Sequence, residues 1–126
     1  MYELEVKGQF SAAHAIVIRG EREALHGHDW RVTVTVSGET LDADGLVCDF
    51  HAIESALNTI TGRLHNRNLN ETEPFDRVNP TAEHVALHIA EELSRTLAGV
   101  LPEGARIAAV RVTEAPGCAA TFRPDA

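Results

Sequence analysis

The spacing of apolar residues changes period twice along this chain, and that change restricts the fold more than any other feature. In the first segment Leu4, Val6, Phe10 and Ala12 share one parity, while Glu3, Glu5, Lys7 and Gln9 share the other. This is the period-two mark of a strand with one buried face. Trp30, Val32, Val34 and Val36 alternate in the same way with Arg31, Thr33 and Thr35, and Ser37-Gly38 closes the run with turn residues. From Asp49 the spacing becomes helical: Phe50, Ile53, Leu57, Ile60 and Leu64 follow an Asp suited to an N-cap. Asn79-Pro80-Thr81 opens a second helix with the stripe Ala82, Val85, Ala86, Ile89, Leu93 and Leu97. Strand-like segments return at 106–114 and 119–122, around the turn-forming Pro116-Gly117.

The order strand-strand-helix-helix-strand-strand reads as α+β: a four-stranded antiparallel sheet with two helices on one face, in a single domain over residues 1–126. Such a sheet has two open edges, so an oligomer is expected rather than a monomer. The irregular polar segments 18–24 and 67–78 are the expected functional loops. Composition excludes other classes. With 11 basic and 19 acidic side chains the formal charge is −8, which leaves no basic surplus for nucleic acid or an anionic membrane surface. No apolar run reaches the roughly 20 residues of a membrane span, and the chain begins in a strand-like segment. A cytoplasmic location is therefore expected, with Cys48 and Cys118 reduced.

The seven histidines need a physical account. His26 and His28, two apart at the entry to the second strand, share the parity of Trp30 and Val32, and His14 shares that of Phe10 and Ala12. Three imidazoles are thus expected on the apolar, helix-covered side. Each carries a donor and an acceptor that burial leaves to be satisfied. Hydrogen bonds within a core or loop are one solution. A metal ion taking one nitrogen from each is the other, and three histidines with an open position form the ligand set of a catalytic zinc. Glu114 follows Val110 and Val112 in parity, so it points to the buried side near a strand end, where a carboxylate needs a partner. His84 and His88 read as exposed helix histidines, and no Glu follows His84 to make a protease motif. His51 shows no partner, and the two cysteines read as small packed apolar residues rather than nucleophiles.

Several motifs recur together: Phe10-Ser11-Ala12-Ala13-His14, Leu25-His26-Gly27-His28-Asp29-Trp30, Gly45-Leu46-Val47 with Asp49-Phe50, Asn68-Leu69-Asn70, Asn79-Pro80-Thr81-Ala82-Glu83 and Val112-Thr113-Glu114. In this order, and over nearly the whole chain, they resemble the 6-pyruvoyltetrahydropterin synthase / 6-carboxytetrahydropterin synthase family. The resemblance implies the tunnelling fold, in which four-stranded subunits join into a trimeric barrel and two trimers make a hexamer. It implies zinc on His14, His26 and His28, and sites at subunit interfaces. It also implies that Glu114 anchors a pterin by accepting from its 2-amino and ring N–H donors, with Thr81, Ala82 and Glu83 lining the pocket.

The chain departs from the family at the catalytic positions. The cysteine of the family's Cys-x-x-x-His-Gly-His is Arg22, and its Asp-His pair is His65-Asn66. Arginine stays protonated and asparagine neither gives nor takes a proton near neutral pH, so the standard synthase reaction is expected to be absent or very slow. Glu23 fits the Glu-x-x-His-Gly-His of a variant subgroup that cleaves the side chain of 7,8-dihydroneopterin triphosphate to 6-hydroxymethyl-7,8-dihydropterin. On that resemblance Glu23 is the general base and His65 a proton shuttle. The plainer readings are a solvated Glu23 in a charged loop and a His65 that meets the last carbonyls of the first helix. A second functional reading keeps the pocket for a pterin- or purine-like ligand without the family's reaction. Arg22 could meet an anionic substrate side chain. A scaffold with a vestigial site is the third reading, and the retained Thr81, Glu83 and Glu114 speak against it.

Overall fold

In the computed structural model, which describes residues 1–124, the two longest strands form the centre of one sheet. They are β1 (Tyr2–His14) and β4 (His26–Gly38), antiparallel over their full length from Tyr2↔Gly38 to His14↔His26. Between them lie the two-residue strands β2 (Val17–Ile18) and β3 (Glu21–Arg22). The helix α1 (Phe50–Leu64), the short strand β5 (Arg67–Asn68), the helix α2 (Ala82–Thr96) and the strands β6 (Arg106–Ala115) and β7 (Cys118–Phe122) follow. The sheet order is β5-β1-β4-β6-β7. The α+β architecture read from the periods is therefore present, with the two helices on one face.

One parity explains the core. Val6, Phe10, Trp30, Val32, Val34, Val36, Val110 and Val112 are buried from the sheet, against Ile53, Leu57, Ile60 and Leu64 of α1 and Val85, Ile89 and Leu93 of α2. Each such side chain contributes about 1.5–3 kcal/mol on leaving water. The cross-strand pair Phe10 and Trp30 stacks with centroids 5.6 Å apart. Gly8 interrupts the apolar series because α1 comes close there: a Cβ would lie 2.9 Å from Leu57 Cδ2. Asp49 caps α1 by accepting from His51 N–H at 2.9 Å, and Thr81 caps α2 by accepting from His84 N–H at 3.1 Å.

The structure adds strands to the expected ones in two places, a separate two-stranded sheet and a fifth strand of the main one. Segment 18–24 is not irregular but holds most of the β2–β3 hairpin, whose tip places Arg19 (φ 52°) and Gly20 (φ 81°) in the left-handed region favoured by tight hairpin turns. Segment 67–78 opens with β5, which pairs parallel to β1 through Ala12↔Arg67 and Ala13↔Asn68, so the four antiparallel strands gain a short parallel fifth. The same segment buries Leu69 and Phe75 in the core. Two bulges modify the ladders, one at Thr35/Val36 and one at Thr113/Ala115. Among the described residues no helix is long and apolar enough to cross a membrane. Both cysteines are free, and burial, then Asp49, raises the Cys48 thiol above its ordinary value, which suits packing rather than attack.

Candidate metal centre

The apolar parity of β1 and β4 ends in imidazoles. His14 closes β1, His26 opens β4 opposite it, and His28 lies across from Ala12. Their ring centroids are 4.8 Å (His14–His26), 5.2 Å (His14–His28) and 4.7 Å (His26–His28) apart. Trp30 forms the floor, edge-on to His14 at 4.8 Å, and is fixed by donating its indole N–H to Ala12 O at 3.1 Å. Glu114 arrives from β6. The bulge at Thr113/Ala115 leaves it without a partner on β7, and such bulges re-aim side chains. One donor atom each from His14, His26, His28 and Glu114 lie within 4.8 Å of one another, a group able to hold a metal ion.

Hydrogen bonds assign the tautomers. His14 Nδ1 is 2.8 Å from Pro80 O and His26 Nδ1 is 2.9 Å from Ala24 O. A carbonyl only accepts, so in a neutral ring the proton sits on Nδ1 and Nε2 keeps its lone pair. Metal-binding histidines characteristically give their other N–H to a carbonyl in this way. His14 Nε2 is fully buried and, among the described residues, has no hydrogen-bond partner: Glu114 Oε1 lies 2.7 Å away but outside hydrogen-bonding geometry. Burial pushes His28 below its ordinary pKa, with Glu114 opposing, which favours the neutral, ligating ring. Three imidazoles and a carboxylate suit zinc, so the residues fit the group that the resemblance implies.

The profile of the 6-pyruvoyl tetrahydropterin synthase family matches residues 3–125. This chain belongs to that family. It is 38% identical over 93 residues to a protein of Pyrococcus furiosus named dihydroneopterin monophosphate aldolase, covering 74% of this chain and 75% of that one. It is 31% identical over 129 residues to the 6-carboxy-5,6,7,8-tetrahydropterin synthase of Bacillus subtilis, covering 98% and 86%. The fold matches that of the Caenorhabditis elegans 6-pyruvoyl tetrahydropterin synthase with a TM-score of 0.85 at 23% identity, over 98% of this chain and 96% of that one.

Against the synthase pattern, the structure separates the two candidate catalytic residues. Glu23 follows the β2–β3 hairpin and is tied back to Ile16: its N–H donates to Ile16 O at 3.0 Å, and its Oε1 accepts from Ile16 N–H at 3.1 Å. The same Oε1 lies 3.7 Å from His26 Nε2, at the rim of the cluster. His65 lies elsewhere. It ends α1, its Nδ1 accepts from Ser11 N–H at 3.0 Å, and its ring therefore sits on the outer edge of β1. The ring does not serve the helix carbonyls; the His65 backbone N–H does, donating to Thr61 O at 2.9 Å. Asn66 takes a left-handed φ of 59° and donates to Ser11 O at 2.6 Å, the turn that sets β5 beside β1. A shallow cleft of about 590 Å³ beside this edge includes Ser11, Asp29 and Asn66 but reaches the cluster only at His28. Arg22 pairs with Val17 in the hairpin and is exposed. Thr81 is half-buried at the start of α2 and Glu83 is exposed in its first turn; the preceding Pro80 carbonyl is what joins this end of α2 to His14.

Two supporting residues escaped the sequence reading. Asn70 accepts from Ala15 N–H at 2.7 Å and donates to Ala15 O at 2.8 Å. Asn79 does the same to Val17, at 2.9 Å in both directions. Both amides pair with the backbone as a neighbouring strand would, and so clamp the segment between His14 and the hairpin. The available signal was their presence in Asn68-Leu69-Asn70 and Asn79-Pro80; nothing local told what they would bond. Two minor expectations change. His88 is half-buried against Phe75, with centroids 5.3 Å apart, because the 67–78 segment packs over α2. His51 has a partner in Glu54 at 3.3 Å, one turn along α1. His84 is exposed, as expected.

Proposed function

We propose that this chain is a zinc-dependent lyase that binds a reduced pterin and cleaves its phosphorylated side chain. The substrate we assign is 7,8-dihydroneopterin triphosphate or its monophosphate, and the product 6-hydroxymethyl-7,8-dihydropterin. The observation that carries the reading is the Glu23 carboxylate, tethered at the rim of the histidine cluster, 3.7 Å from His26 Nε2. The name of the Pyrococcus furiosus relative supports the same reaction class.

His14, His26 and His28 would hold the metal, which when bound supplies a Lewis acid for a side-chain oxygen. Glu114 accepts from the 2-amino and ring N–H groups of the pterin, and Thr81 and Glu83 line its pocket. Glu23 takes the proton of the 2′-hydroxyl. The C1′–C2′ bond then breaks, C2′ leaves as the aldehyde of a phosphorylated two-carbon fragment, and the electron pair stays with C1′ in conjugation with the ring. A proton returned to C1′ completes the product. His65 is the proposed shuttle. Because its ring lies on the outer edge of β1, it acts in a site completed by a neighbouring subunit of a hexamer built from two trimers. The assembly is placed in the cytoplasm, with no nucleic-acid or membrane partner.

Arg22 and Asn66 favour a second reading, a pterin- or purine-like-ligand-binding homologue without the family's reaction, since neither residue moves a proton at neutral pH. Mass spectrometry separates the two. Zinc-loaded protein is incubated with the triphosphate and, separately, the monophosphate, beside a Glu23→Gln control. Product that vanishes in the control supports the lyase; unchanged substrate in both arms leaves the binding reading.

A further inference from the structure

We propose that Glu114 closes the metal centre as its fourth ligand in the pterin-free protein, so that metal and pterin compete for one carboxylate. This rests on the metal reading above and deepens it. In the neutral ring His14 gives its Nδ1–H to Pro80 O, and the buried Nε2 lone pair then faces Glu114 Oε1 at 2.7 Å without a hydrogen bond. Two facing lone pairs at that distance repel each other, and a cation between them removes the repulsion. The same Oε1 is 3.4 Å from His28 Nε2. Donors on a tetrahedral zinc, each roughly 2.0–2.2 Å from the ion, stand roughly 3.4 Å apart. The His28–Glu114 separation equals that value, and the His14–Glu114 separation is shorter, so a bound ion would open it.

The other nearby carboxylate is unsuited to the place. Glu23 Oε1 is already committed to Ile16 N–H, and it stands farther from its imidazole, 3.7 Å from His26 Nε2. Glu114 has no β7 partner across the bulge, and its side chain is 27% exposed, so a ligand can reach it. Three imidazoles and a carboxylate make a closed set of the structural type, whereas catalysis needs an open position. A ligand whose N–H donors draw Glu114 away opens that position. The coupling is reciprocal, so a pterin held by Glu114 weakens the hold on the metal.

The test uses metal affinity and the visible spectrum of the Co2+-loaded protein, neither of which depends on turnover. Wild type, Glu114→Gln, Glu114→Ala and Glu23→Gln are compared by chelator competition for Zn2+. The isosteric Glu114→Gln guards against misfolding, checked by circular dichroism. We expect both Glu114 variants to bind Zn2+ about tenfold more weakly or worse and to change the Co2+ spectrum, while Glu23→Gln changes neither. Adding 7,8-dihydropterin, which has no side chain to cleave, should move the wild-type Co2+ spectrum toward that of Glu114→Gln. Wild-type spectrum and Zn2+ affinity in the Glu114 variants would overturn the fourth-ligand role. A wild-type spectrum unmoved by saturating 7,8-dihydropterin would overturn the competition, and a wild type that binds no metal would overturn both. Failure of the proposed lyase reads differently, as unchanged substrate with these metal readouts intact.

Discussion

The middle and the tip of the β1–β4 ladder share one parity and one face, yet they are built for opposite ends. In the middle, Phe10, Val32 and Val34 meet α1 and α2 and are closed off by apolar contact alone. At the tip the same parity presents His14, His26 and His28, and burial there leaves a nitrogen without a partner. A period-two pattern therefore marks which side chains face inward, while the residue type marks where packing stops and ligand chemistry begins. Trp30 joins the two regions, stacked on Phe10 and edge-on to His14.

The largest expected effect removes that joint. Trp30→Ala should destabilise the fold by about 3–5 kcal/mol, read from denaturant unfolding, and should weaken metal binding because the floor under His14 is lost. Loss of stability with unchanged metal affinity would show that the tip holds itself independently of the middle. The converse substitution is His14→Ala. It should abolish tight Zn2+ binding while costing the metal-free protein far less than Trp30→Ala. Zinc at about 100 times its Kd should add about 2.7 kcal/mol to the wild type and nothing to this variant. Thermal melts with and without chelator check this; equal zinc-induced shifts in both proteins would remove His14 from the ligand set.

How much of this was legible in the sequence follows from range. The parity of His14, His26 and His28 with the core is local to each strand, as are the Asp49 and Thr81 caps, and all could be read directly. Glu114 could be assigned a face, but its meeting with His14 depends on strand register. The bonds Asn70 to Ala15 and Asn79 to Val17 span 55 and 62 residues, and no periodicity reports them. The His65 ring could be read as serving the last carbonyls of α1 because its actual partner, Ser11, lies 54 residues away. The 67–78 segment read as polar because Leu69 and Phe75 are single apolar residues without a repeat.

The two asparagine clamps sharpen the comparison at the next level. Asn70→Ala leaves the buried backbone of Ala15 short of two partners, and a cost of about 1–3 kcal/mol is expected. Asn79→Ala exposes Val17 similarly but nearer the surface, so its stability cost should be smaller. Both should weaken zinc binding, since they hold the segment leaving His14, and chelator competition measures it. If stability falls in Asn70→Ala while zinc affinity stays at the wild-type value, the clamp serves the middle of the ladder and not its tip.

The smallest effect lies in the packed region, at His88. Burial holds this imidazole below its ordinary value of 6.5; Glu92 and Glu91 oppose the shift, and Arg95 and Arg63 reinforce it. A depressed histidine pKa means that, as pH falls, the unfolded chain takes up the proton before the folded one. His88 therefore contributes stability that is complete above about 6.5, its value in the unfolded chain, and is lost as pH falls toward and through the lower folded value. His88→Leu keeps the contact with Phe75 apolar and removes the titration. Denaturant midpoints of metal-free protein, measured from pH 7.5 to about pH 5, should fall more steeply for the wild type than for His88→Leu. Parallel curves would mean that the ring is solvated enough to protonate in place, and that the cover supplied by segment 67–78 is looser than the Phe75 contact indicates.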